Sequence, residues 1–135
     1  MKILKMLVLV NCLAMTTACG YGSKNYNTPA TAGAMPAVTQ LSPSNTTAGS
    51  AAFTLTVNGS NFGTKAVVNW NGVAQTANTT FVTANQLMVA VPASMVANSG
   101  TVLITVTDPA SAGTGMYGTG ATLAETSSPV NFMIN

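Results

Sequence analysis

Between residues 53 and 107 apolar and polar side chains alternate in short runs, and each run closes on Asn-Gly, Gly or Pro. Strand side chains alternate faces with a period of two, so Phe53, Leu55 and Val57 share one face while Thr54, Thr56 and Asn58 share the other. The same parity recurs at Val68 and Trp70, at Leu87, Val89 and Val91, at Val102, Ile104 and Val106, and at Val130, Phe132 and Ile134. One face of each strand is built for burial and the other for water. Many short strands of this kind, closely spaced between turn signals, predict an all-β sandwich of two packed sheets.

Strands are predicted over 36–41, 53–58, 67–70, 86–91, 101–107 and 130–134, with weaker Thr- and Ala-rich candidates at 73–76 and 79–82. Asn71-Gly72 is the strongest hairpin signal, because a two-residue turn that matches strand twist needs positive φ at both central positions. Asn58-Gly59 and Gly63 are read as further left-handed positions, with Phe62 folded over the core between them. Pro92 stops a strand, and residues 93–98 read as one helical turn capped by Ser94 and closed by Gly100. Residues 110–128 carry Gly113, Gly115, Gly118 and Gly120 among Ser, Thr and Ala and read as a long exposed loop centred on Met116 and Tyr117.

Charge restricts the chemistry severely. The ionised side chains are Lys2, Lys5, Lys24 and Lys65 against Asp108 and Glu125, and there is neither His nor Arg. Such a surface lacks the basic footprint of a nucleic-acid binder and the polybasic patch that anionic lipid attracts. A Ser-His-Asp triad and a zinc site cannot be assembled, and a Ser-Lys dyad at Lys65 has no motif behind it. A carboxylate pair, or a weak calcium site with loop carbonyls, exists only if Asp108 and Glu125 meet across the long loop that they flank. The chain therefore reads as non-catalytic, with no cofactor and no metal.

The N-terminus points to export. Lys2 and Lys5 precede an apolar run from Met6 to Met15 that is broken only by Asn11. That run is too short for a transmembrane helix, which needs about 20 apolar residues. Residues 1–18 read as a signal peptide. Thr16-Thr17-Ala18-Cys19-Gly20 resembles a bacterial lipobox, in which the cysteine is lipidated and becomes the mature N-terminus; Thr16 stands where that motif usually has an aliphatic residue. An ordinary signal peptidase would cut the same bond and leave a secreted chain with a free thiol. Residues 19–35, Gly-, Ser-, Asn- and Pro-rich after Cys19, read as a flexible tether with Tyr21 and Tyr26 in it, and residues 36–135 as the domain. Cys12 leaves with the leader, so the domain has no internal disulfide and its core must hold by packing. The location that follows is the bacterial cell envelope, through a lipid anchor in the membrane.

The order of motifs resembles the IPT/TIG domain. Pro36-Ala37-Val38, Leu41-Ser42-Pro43, Gly49, Phe53 through Phe62, and Val68-Asn69-Trp70-Asn71-Gly72 carry the likeness, followed by Thr80-Phe81-Val82, Gln86-Leu87, Val91-Pro92, Gly100 and Val102 through Pro109. Residues 110–128 depart from it, being longer than the turn usual before the last strand. The resemblance implies an immunoglobulin-like sandwich of about seven strands, used as a spacer, an interaction module or a dimerisation module, and no single activity.

For a binding surface, Tyr117 with Met116 is the exposed aromatic candidate, and Asn69, Asn71 and Asn78 are its polar neighbours if loops converge. Trp70 could stack on a sugar, but its parity with Val68 places it in the core. The outward Thr54, Thr56, Thr101, Thr105 and Thr107, with Met88, Leu103 and Met133, make neutral sheet faces without the lysines that guard edges, so self-association is physically reasonable. Two readings remain open: a cell-envelope lipoprotein presenting an interaction module to an unknown protein or glycan, and a carbohydrate-binding accessory protein. Cys19→Ser is expected to leave an unprocessed or soluble chain. Intact mass and membrane fractionation decide this, and an unchanged result would refute lipidation.

Overall fold

The computed structural model describes residues 30–113 and 120–135; the leader, Cys19 and most of the tether lie outside them, as do Met116 and Tyr117. Ten strands follow in order: β1 (Ala37–Ser42), β2 (Asn45–Thr46), β3 (Phe53–Ser60), β4 (Val67–Trp70), β5 (Val73–Ala74), β6 (Thr79–Thr83), β7 (Gln86–Val91), β8 (Gly100–Asp108), β9 (Glu125–Thr126) and β10 (Val130–Ile134). Sheet one has the order β1-β3-β7-β6, and sheet two the order β2-β10-β8-β4-β5 with β9 attached to β8. Every pairing is antiparallel except that of β2 with β10. The architecture is the two-sheet sandwich that the alternation predicts, of the immunoglobulin-like type that the resemblance implies.

Parity decides what is buried. Leu55 and Val57 on β3, and Leu87, Val89 and Val91 on β7, are almost fully enclosed and face Val102, Ile104 and Val106 of β8 and Phe132 and Ile134 of β10. Phe132 is the joint between the layers. Its ring stacks on Phe53 of sheet one at 6.1 Å and meets Trp70 of β4 at 5.5 Å in a tilted arrangement. Trp70 is 7% exposed, which makes it a core residue, as its parity implies. The outward threonines sit beside exposed Met88, Leu103 and Met133 on the other faces.

The turns differ from expectation in instructive ways. Asn71 and Gly72 have φ of 50° and 79° and close the β4–β5 hairpin as read. After β3, however, the left-handed residue is Asn61, with φ 59°, while Gly59 remains in the strand. Gly59 is needed for close approach: a Cβ there would overlap the carbonyl oxygen of Ala37 and the ring of Phe62, which is buried above it. The turn after Pro92 is a 3-10 turn, Ala93–Val96, with Pro92 in the cap position and no side-chain cap, so Ser94 does not play that role. The turn survives because Val96 is fully buried and its carbonyl accepts from Gly49.

Two short strands carried no sequence signal. β2 and β9 are two residues each, too short for alternation to register. They exist because tertiary contact supplies partners: β2 lies beside the end of β10, and β9 pairs Thr126 and Glu125 with Thr107 and Asp108. The core's dependence on aromatic packing is testable. Trp70→Ala should cost about 3–5 kcal/mol of stability, the range for a buried aromatic truncation, and Trp70→Phe much less, read from urea unfolding midpoints. Equal midpoints for parent and Trp70→Ala would place the indole outside the core.

Candidate functional site

Asn69, Asn71 and Asn78 do not form one surface, because the backbone puts them on different elements and then uses their amides. Asn69 lies on the outer face of β4, yet it is buried, and its Nδ2 donates to Thr105 Oγ1 at 3.0 Å and Thr107 Oγ1 at 2.8 Å. Thr107 continues the array to Thr126 across the β8–β9 pair. Asn71 occupies its hairpin turn, and its Oδ1 accepts from the backbone N–H of Leu103. Asn78 stands at the start of β6, donating to Gln75 and lining a shallow cleft of about 340 Å³ with Phe53 and Val91. Asn71 is level with Leu103, whereas the long loop leaves β8 at Asp108, five residues further and about 17 Å away at about 3.3 Å per residue. The described arms of the loop are therefore at the opposite end of the sheet from Asn71.

The described arms of the long loop are paired with each other rather than forming a simple exposed excursion. Ser111 and Thr122 pair antiparallel through backbone bonds of 3.1 and 3.0 Å, and Thr31, from the segment before β1, pairs parallel with Thr122. The end of the tether is thus part of the fold, with Pro36 fully enclosed and the Met35 carbonyl held by Asn61. Ser127, placed at the edge of the loop by sequence, is 5% exposed. Its backbone N–H donates to the Val106 carbonyl and its Oγ accepts from the Val106 N–H, filling the gap in the ladder between β9 and β10. The first serine of Ser127-Ser128-Pro129 announces none of this, because its partner is 21 residues away.

The loop's base gathers the charges. Asp108 and Glu125 are direct partners across β8 and β9, so the two carboxylates of the chain do meet at the level of the backbone. They then diverge. A Cβ at Gly63 would overlap the Asp108 carboxylate, whereas Glu125 lies beside Gly33 and lines neither of the two clefts at this end. The first cleft, of about 230 Å³, has Lys65 and Asp108 in its walls together with Thr64, Ser111 and Thr122. It adjoins a second, of about 520 Å³, in the seam between β4 and β6, where half-buried Phe81 and Val67 form the apolar part. Thr64, Lys65 and Pro109 border both clefts and make them one groove. The seam is held by a short relay in which Gln75 donates to Val68, Thr79 donates to Gln75, and Val68 N donates to Thr79 Oγ1 at 3.2 Å.

Among the described residues lining these two clefts Asp108 is the one carboxylate, whereas glycoside hydrolysis uses a pair. Among the described residues no three His, Cys, Asp or Glu side chains group to hold a metal. What the groove can offer is hydroxyls, one ammonium, one carboxylate and an aromatic edge, which is the equipment of binding.

A family model for the IPT/TIG domain matches residues 36–129. The chain belongs to the IPT/TIG domain family. Domains of this family are immunoglobulin-like interaction modules and are typically non-catalytic. The matched segment includes the groove and the long loop, and β10, just beyond it, completes sheet two along five residues of β8. No curated protein and no solved structure matches the chain significantly.

Ser127→Ala should lower stability by about 1–3 kcal/mol, since it leaves the Val106 N–H buried without an acceptor. Replacing 113–127 by a short turn should destabilise further, because it removes β9 as well, whereas replacing only 114–119 should change loop-closure cost by less than about 1 kcal/mol. Urea denaturation of the three variants checks the order. Equal stability of the two shortened forms would show that β9 and Ser127 contribute nothing.

Proposed function

We propose that this chain is a non-catalytic lipoprotein of a bacterial cell envelope that presents one IPT/TIG domain as an interaction module. The observation that carries the reading is the order of its parts: an apolar leader with a positive start, a Thr-Ala-Cys junction at Cys19, a tether, and then a domain of an interaction family. The sheet faces support it, since Thr54, Thr56, Thr101 and Thr105 leave them neutral and free of the charge that would oppose close approach of another surface. A photo-crosslinking residue placed at Met88 on sheet one, or at Leu103 on sheet two, should yield an adduct with an envelope component from one face and not the other. A chain found wholly in the soluble fraction, with no adduct from either face, would overturn the proposal.

A second reading, a carbohydrate-binding accessory protein, is favoured by a different observation. The groove joins an apolar wall to the charged groups of Lys65 and Asp108, and its larger cleft falls within the roughly 300–1,000 Å³ of small-molecule sites.

A further inference from the structure

Among the described residues the charged side chains are Lys65, Asp108 and Glu125, and all three stand at one end of the sandwich, where β8 ends and β4 begins. Several polar side chains among the described residues pair with one another: Asn69 with Thr105 and Thr107, Thr107 with Thr126, Ser111 with Thr122, and Gln86 with Asn58. The Asp108 carboxylate, lining a cleft, has no such pairing. It is held against Gly63 by a backbone that leaves no room for a side chain there, it lines the cleft, and no donor among the described residues bonds to it. An ionised carboxylate has about four acceptor positions. Lys65, across the same cleft, is exposed and forms no ion pair with it.

We propose that this groove binds a neutral oligosaccharide, with Asp108 and Lys65 as its polar anchors. The inference rests on the carbohydrate reading above and moves its site from Tyr117 and the asparagines to the base of the long loop. A carboxylate accepts sugar hydroxyls through charge-assisted bonds about twice as strong as neutral ones, and an ammonium donates to the hydroxyl and ring oxygens that remain. Phe81 and Pro109 offer apolar surface for the C–H face of a pyranose. Charge selects the class: one ammonium near two carboxylates repels polyanions such as polyuronates or phosphate chains, and among the described residues no three His, Cys, Asp or Glu side chains group here to hold a cation. The long loop then has a structural purpose, since Ser111 and Thr122 form one wall and Thr31 braces it from the tether side.

The test is titration of the full-length, isotope-labelled chain in detergent with maltohexaose, cellohexaose, chitohexaose and, as the acidic counterpart, a hexagalacturonate, following backbone amide shifts. At least one neutral hexasaccharide should shift the amides of Thr64, Lys65 and Ser111 at millimolar concentration, with hexagalacturonate binding more weakly. Asp108→Asn should weaken the neutral sugar at least tenfold and Lys65→Gln several-fold, with β7 amides unchanged as a control for folding. Sugar binding that shifts other amides and ignores both variants would overturn this site while leaving the carbohydrate reading standing. No shift with any sugar would overturn both, and preference for hexagalacturonate would overturn the neutral class. Mapping on the unsubstituted chain locates the site even if Asp108→Asn does not fold.

Discussion

The layer-to-layer contact of Phe132 with Phe53 and Trp70 is the interaction on which the sandwich depends. Phe132 is fully enclosed, stacks across the interior on sheet one and touches Trp70 within sheet two, so it couples both layers at once. Only Cys12 and Cys19 occur in the chain, and both precede the domain, so no disulfide can join the sheets as it does in many exported sandwiches. Nor can charge, since among the described residues the charged side chains are one lysine and two carboxylates gathered at one end. Apolar burial, contributing about 25 cal/mol per Å² removed from water, and the backbone ladders remain. This explains why the inward positions of β3, β7, β8 and β10 are occupied so uniformly by Val, Leu, Ile and Phe.

A core held this way frees the surface from stabilising duties and lets one end of the sheets specialise. β8 runs past β10 by several residues, and the overhang needs partners. β9 supplies them at Thr107 and Asp108, and Ser127 supplies them at Val106. The same overhang carries Asp108 to the groove, so a requirement of sheet completion also positions the one acidic side chain in the groove wall. The IPT/TIG frame is thereby extended by a loop whose described arms are hydrogen-bonded to each other and to Thr31. The domain's N-terminal connection and the groove wall are one piece of structure.

Several elements were legible from residues alone for simple reasons. Strand parity at Leu55, Leu87, Ile104 and Phe132 is a local property of the pleat, and it identified the core faces correctly. Asn71-Gly72 specified its hairpin because positive φ at two adjacent residues has few other uses. At Asn58-Gly59 the same dipeptide misled: the glycine answers to the nearby Ala37 carbonyl and Phe62 ring rather than to a turn. Ser94 misled likewise, since burial of Val96, not a cap, holds that turn.

Alternation, turn chemistry, the cysteine count and the scarcity of charge determined by themselves that this chain is an all-β sandwich with a core that must stand on packing. Those are statements about neighbours along the chain, and neighbours suffice for them. Where the asparagines go, that Ser127 is buried, that Thr31 joins the long loop, and that Lys65 and Asp108 face one cleft were decided only by tertiary structure. Each depends on residues tens of positions apart being brought together by the register of β8 with β4, β9 and β10. Register is set by the sum of all inward side chains finding the core at once, and no local stretch of sequence carries that sum.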